Sequence, residues 1–323
     1  MGDITKLLIC TLGIYTCYLA YGIAQEGVYK PTAKGEKFGF TAFLLLAQCL
    51  TNAVFAGVLM LYQNATGKAD KDAPKLAPIL FSLKPLLMSG SYVTAMFCSN
   101  EALKFVSYPT QAVAKSCKMV PVMLMGVVMG TKKYQWLDYF CVALITAGIV
   151  MFNLAKSKAG GENSAVGLAF LLTSLFLDGS TGTIQEGIQH AHKTTSTQMM
   201  FLCNFWAIVF AGAACVAQQQ LEPALAFVAA NPDFQTKLAV FSLTSALGQN
   251  FIFLTIKWFS ALTCSTITTT RKFFTVLASV FYFGHALKAA QWQGTGLVFL
   301  GIGINLQQKY AKSQQKKPEG KKE

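Results

Sequence analysis

The sequence predicts an all-α membrane protein of ten transmembrane helices, built as two inverted five-helix repeats. Three observations carry that expectation. Of the 323 residues, 53% are apolar and 13% charged, about half the ~25% charge share of soluble domains. The apolar residues come in ten long runs, and a bilayer core of ~30 Å takes ~20 helical residues to cross. Motifs of the first half also recur, in order, in the second. The runs consume nearly the whole chain, so no separate soluble domain remains and a soluble enzyme is excluded.

The first run, 5–24, ends at Gln25-Glu26 without a small-residue cleavage site, so it reads as an anchored span. A loop with Lys30, Lys34 and Lys37 leads to the second, 38–62. Pro74 and Pro78 punctuate the link to 77–103, and 108–130 follows. Lys132-Lys133 separates it from 136–154, and Gly160-Gly161 precedes 165–187 and 196–218. Pro223 breaks the connection to 235–257, and 261–283 and 289–309 complete the set. Gly126 with Gly130, and Gly301 with Gly303, are expected to let helices pack closely.

The net charge is +13, from 26 Lys, one Arg and 14 acids. A nucleic-acid binder would carry such charge on a solvated face. Here it sits in the tail, with six Lys and two Glu from Lys309 to Glu323, and inside the apolar runs, so no nucleic-acid partner is expected. The basic tail argues for a cytosolic C-terminus, and an even span count puts the N-terminus there too. Lys68, Lys71, Lys75, Lys132 and Lys133 fall on the same side. The nine Cys have no metal-ligand spacing and read as small apolar packers. No metal or cofactor is expected, and the sequence sets no oligomeric state.

Tyr21-Gly22-Ile23-Ala24-Gln25-Glu26-Gly27-Val28 ends the first span, and Thr181-Gly182-Thr183-Ile184-Gln185-Glu186-Gly187-Ile188 ends the sixth, 160 residues on. Lys104-Phe105-Val106-Ser107 leads into the fourth and Lys257-Trp258-Phe259-Ser260 into the ninth, shifted by 153, which lays Lys118 onto Arg271. Gln135-Trp136 and Gln291-Trp292 open the fifth and tenth. The domains are therefore 1–154 and 155–309, five spans each, followed by a cytosolic tail, 310–323. With an odd number of spans per half, the second copy is inverted, the architecture of secondary transporters with a midplane site.

Lys115 and Lys118 lie deep in the fourth run, and Arg271 and Lys272 deep in the ninth. Each charge at that depth costs ~2.5–3.5 kcal/mol unless it meets water or a counter-charge. Gln111 shares the face of Lys115 and Lys118, and Ser265, Thr268, Lys272 and Thr275 form a second polar stripe. The acids in the spans, Glu26, Glu101, Asp138, Asp178 and Glu186, fall mostly near span ends. A surplus of midplane cations calls for an anion, and two basic pairs suit a phosphate or diphosphate. Gln25, Glu26, Gln185, Glu186, Asn204, Gln249 and Asn250 are candidates to hydrogen-bond a hydroxylated ligand, against the alternative of interhelical glue. Tyr18, Tyr21, Tyr92, Trp206 and Trp258 read as packing or interface aromatics before base-stacking ones.

Tyr108-Pro109-Thr110-Gln111, Lys115-Ser116-Cys117-Lys118 with Pro121-Val122-Met123-Leu124, and Thr268-Thr269-Thr270-Arg271-Lys272-Phe273-Phe274-Thr275 resemble nucleotide-sugar transporters of the drug/metabolite transporter superfamily. Within it they are similar to solute carrier family 35, subfamily B, in its endoplasmic-reticulum branch of UDP-galactose transporter homologues. Ser245-Ala246-Leu247-Gly248-Gln249 and Gln185-Glu186 fit the same pattern. The resemblance implies ten helices and strict exchange of a nucleotide sugar, UDP-galactose or UDP-glucose, for a nucleotide. ATP/ADP exchange is the alternative it also implies. It implies Lys115, Lys118, Arg271 and Lys272 as phosphate contacts, and Lys272 argues against the sulfate donor PAPS. Many reticulum members carry Lys three and four residues from the C-terminus; here Lys321 fills one position and Gly320 stands in the other, leaving reticulum or early Golgi as the expected membrane. A membrane-embedded transferase would need a catalytic cluster, yet His190, His192 and His285 lie at span edges and no paired-acid motif occurs.

Overall fold

The computed structural model describes residues 2–29, 35–36, 38–68, 70, 73–102, 105–106, 111, 114–115, 117–130, 133–156, 164–283 and 288–315. Among them every regular element is an α-helix. The first two, α1 (Asp3–Tyr29) and α2 (Thr41–Ala65), cover the first two runs. The run 77–103 is divided into α3 (Leu76–Leu80) and α4 (Leu83–Ala102). Pro85 explains the break: its ring excludes the carbonyl four residues back and it supplies no N–H, so it belongs in a first turn. The Ser82 hydroxyl donates to the Ile79 carbonyl at 2.7 Å and closes the preceding turn.

The chain continues as α5 (Met119–Val128), α6 (Trp136–Lys156), α7 (Ala165–His192) and α8 (Ser196–Ala217). A capping box starts α8: the Gln198 N–H donates to Thr195 Oγ1 and the Thr195 N–H donates to Gln198 Oε1, both at 3.1 Å. Then α9 (Leu221–Ala230) fills a stretch whose sequence predicts only a connection. Pro223 does not break the chain there: it sits in the first turn of α9, beside the favourable N-terminal charge of Glu222. Last come α10 (Pro232–Trp258), α11 (Ala261–Phe283) and α12 (Ala289–Gln315). Among the described residues, Asp3–Gln25, Thr41–Ala65, Ala165–His192, Ser196–Ala217 and Pro232–Trp258 are long and apolar enough to cross a membrane.

The distribution of polarity is that of a lipid-facing protein. Leu61, Phe81, Val128 and Trp136 are exposed, while Asn52, Ser89 and Asn204 are wholly buried. Outward apolar groups need no water, whereas inward amides can bond one another. None of the nine cysteines is in a disulfide, and seven are buried, as expected of packers.

The chain forms two compact units, one of 1–8, 95–180 and 265–323, the other of 9–94 and 181–264. In the second unit α2 packs on α8 and α10. Asn52 on α2 donates to Asn204 Oδ1 at 3.2 Å, and Leu46 meets Gly212. Numbers rise along α2 as they fall along α8, so the two helices are antiparallel. In the first unit α6 packs on α12. A Cβ on Gly148 would lie 2.5 Å from the Gly294 carbonyl oxygen, and one on Gly294 would lie 2.6 Å from that of Gly148. Gly301 approaches Ile145, so this pair is antiparallel too, with backbones touching where both side chains are absent. Of the other glycines expected to pack, Gly126 abuts Tyr134, but Gly303 meets nothing within 4 Å and Gly130 serves a turn, at φ +65°.

Candidate functional site

The first unit holds most of the candidate residues. Lys115 and Lys118 do not lie within one unbroken helix: residues 117–118 form a turn and α5 opens at Met119. The Lys118 N–H reaches the Lys115 carbonyl at 3.4 Å and the Cys117 N–H that of Ala114 at 3.0 Å. Pro121, in the first turn of α5, favours a helix start there. Both lysines are half-buried.

Lys118 Nζ stands 3.6 Å from Asp178 Oδ2. Asp178 is the fourteenth of the 28 residues of α7, the middle of the helix. This corrects the view that the span acids gather at span ends and leave the cations uncompensated. The next residue, Gly179, makes the approach possible: its missing Cβ would lie 2.9 Å from the carbonyl carbon and oxygen of Pro121. One turn earlier on α7, the Ser174 hydroxyl donates to the Ala95 carbonyl at 2.8 Å and ties α7 to α4.

Gln111 is buried, and its amide donates to the Ser99 carbonyl at 2.6 Å, so it braces α4. On α11, Thr268 donates to the Ser265 carbonyl at 3.1 Å, and half-buried Arg271 follows three residues on. Lys272 belongs to α11, but its side chain lies outside the described residues. Lys115, Lys118, Gln111, Thr268 and Arg271 thus share the first unit with Asp178.

Gln25, Glu26 and Gln249 belong to the second unit. Gln25 is half-buried on α1, and the Glu26 side chain is outside the described residues. Gln249 Oε1 accepts from Asn204 Nδ2 at 2.7 Å, inside a network where Gln48 also donates to Ser245 Oγ at 2.7 Å. Gln249 is therefore interhelical glue through that oxygen. Tyr21 and Trp206, two of the five aromatics, have packing partners in the protein: Tyr21 lies 4.7 Å from Phe241 between ring centroids, and the Trp206 indole donates to the Leu80 carbonyl at 2.8 Å. Glu186, 2% exposed, accepts the Ala261 N–H at 3.0 Å and holds the start of α11.

The second unit also contains a pocket of about 310 Å³ lined by Asp70, His190, Lys193 and Lys257 among others. Lys257 Nζ is 3.9 Å from Asp70 Oδ2 across it. It joins the α2–α3 connection, the α7–α8 connection and the end of α10, three places that the sequence assigns to one membrane face.

Sequence reasoning missed two features, the Asp178 partner of Lys118 and the Asn52–Asn204–Gln249 network. The first had a signal, a carboxylate followed by glycine deep in an apolar run. The second had only isolated amides on three separate runs.

The sequence profile of the UAA transporter family matches residues 6–309. Solute carrier family 35 member B1 of Xenopus tropicalis is 44% identical over 308 residues, 93% of each chain. Its Bos taurus counterpart is 43% identical over 310 residues, 94% of each chain. That of Dictyostelium discoideum is 38% identical over 312 residues, 94% of this chain and 77% of its own. A solved crystal structure shares the fold, with a TM-score of 0.63 at 12% identity, over 94% of this chain and 96% of that one.

Proposed function

The chain belongs to the UAA transporter family, and from that premise we propose that it exchanges a nucleotide sugar for a nucleotide across the endoplasmic-reticulum or early Golgi membrane. Membership of a transporter family sets the transferase alternative aside. The cargo in this reading is UDP-galactose or UDP-glucose. The bound phosphates lie against Lys115, Lys118, Arg271 and Lys272, with Thr268 beside them on α11. The observation that carries the reading is that Lys115, Lys118 and Arg271, cations from inside two apolar runs, belong to one compact unit.

In the same reading the helices form ten spans in two inverted halves, 1–154 and 155–309, with both termini and the 310–323 tail in the cytosol. The antiparallel packing of α2 on α8 and of α6 on α12 supports it. These are the second and seventh, and the fifth and tenth, of the expected spans. Helices exchanged by a twofold axis in the membrane plane must run antiparallel where they meet.

Exchange follows from charge. Even with Asp178 offsetting Lys118, the basic groups outnumber it, and closing the site empty sets bare cations together in a poorly hydrated place. An anionic ligand cancels that charge. The test is purified protein in liposomes, preloaded with UMP, UDP, ADP or ATP and offered labelled UDP-galactose, UDP-glucose or ATP. Uptake of a UDP-sugar that depends on internal uridine nucleotide is expected. Uptake of ATP against ADP alone would move the assignment to the adenine nucleotides, and equal efflux with and without external nucleotide would refute exchange.

A further inference from the structure

We propose that Asp178 is a displaceable counter-ion, holding Lys118 in the empty carrier and yielding it to a phosphate of the incoming ligand. The inference rests on the reading of Lys118 as a phosphate contact. The separation of 3.6 Å between Lys118 Nζ and Asp178 Oδ2 is longer than a charge-assisted hydrogen bond of about 2.7–2.9 Å. The two charges therefore attract without being locked. The side chains also keep 34% and 23% of their exposure, so another anion can reach Lys118 while the pair still stands.

The partners differ in freedom. Asp178 is short, and the contact of Gly179 with the Pro121 backbone fixes its place on α7. Lys118 carries its charge on a flexible four-carbon stem from a turn, so the ammonium can leave while the carboxylate stays. Bringing a carboxylate to mid-helix is costly, and a partner that only neutralised Lys118 permanently would remove the charge a phosphate needs. A loose partner does otherwise. It lowers the cost of the empty site and weakens the hold on the ligand, so that release is not slower than the exchange requires. Asp178 is thus a positioning residue that sets affinity through Lys118.

The experiment compares full-length wild-type protein with Asp178→Asn, Asp178→Glu, Lys118→Gln and the Lys118→Gln/Asp178→Asn double variant, reconstituted and assayed for KM and maximal rate. The probes are UDP-glucose, UMP and ADP. Removing the competing charge gives the ligand undivided use of Lys118, so Asp178→Asn should lower KM roughly two- to fivefold and slow turnover with it. Asp178→Glu, one methylene longer and still charged, should raise KM. The effect of Asp178→Asn on KM should vanish where Lys118 is already Gln. A merely structural ion pair would lower the yield of folded protein and leave KM where it was. If Asp178→Asn does not fold, Asp178→Glu decides, and an unchanged or lowered KM there overturns the proposal. A wild-type protein that moves none of the probes overturns the functional reading itself. Wild-type exchange with one KM in all Asp178 variants overturns only the role of Asp178.

Discussion

Replacing Gly179 with Ala tests how the cation site is built. The new Cβ would lie 2.9 Å from the Pro121 carbonyl carbon and oxygen and 3.1 Å from the Val122 nitrogen. Ordinary contact begins at 3.4 Å, so α7 and α5 must part by about half an ångström, and backbone atoms cannot turn aside as a side chain would. Overpacking of this kind costs about 1–3 kcal/mol, against about 1 kcal/mol regained from helix propensity. The same half ångström stretches the Lys118–Asp178 pair beyond its present 3.6 Å. At that distance the pair is worth about 1 kcal/mol at the permittivity of water and at most about 5 at that of a protein surface, and partial exposure favours the low figure. Gly182→Ala on the same helix is the control, because its Cβ would meet Ala261 at an ordinary 3.4 Å. Apparent melting temperature of the detergent-solubilised protein and exchange in liposomes should both fall in Gly179→Ala and hold in Gly182→Ala. Equal stability and equal exchange in the two variants would refute the close-approach argument.

Other outcomes follow from the same geometry. Lys118→Ala or Arg271→Ala should weaken apparent affinity about ten- to a hundredfold, from ~1.5–3 kcal/mol per charge-assisted phosphate contact, while insertion persists; wild-type uptake at low substrate in Arg271→Ala would contradict the site. Asn204→Leu breaks the contacts with Asn52 and Gln249 and should cost about 0.6–2 kcal/mol of stability, read as a lower melting temperature with KM unchanged. The sequon Asn64-Ala65-Thr66 should stay unglycosylated, since the adjoining Asp70 shares a pocket with His190 and Lys257 on the face assigned to the cytosol. A glycosidase-sensitive gel shift lost in Asn64→Gln would reverse the orientation.

What was legible in the sequence follows from what membrane insertion writes into it. Long apolar runs are a local property, so the helices over 3–29, 41–65, 165–192, 196–217 and 232–258 were readable residue by residue. Boundaries set by one residue's backbone chemistry were less so: Pro85 divides α3 from α4, and Pro223 begins a helix where a loop was expected. The cations were legible because a charge in an apolar run is conspicuous, but their partner was not. Which carboxylate meets Lys118 depends on where α7 crosses α5, and that is decided by the absence of one Cβ at Gly179. The two residues are sixty apart in the chain, and no periodicity connects them. Gln249 makes the same point in reverse. An amide deep in a span costs alike whether its partner is a ligand or Asn204, so its presence signals only that some partner exists. The sequence of such a chain names the groups that must be satisfied, and only the helix crossings say by what.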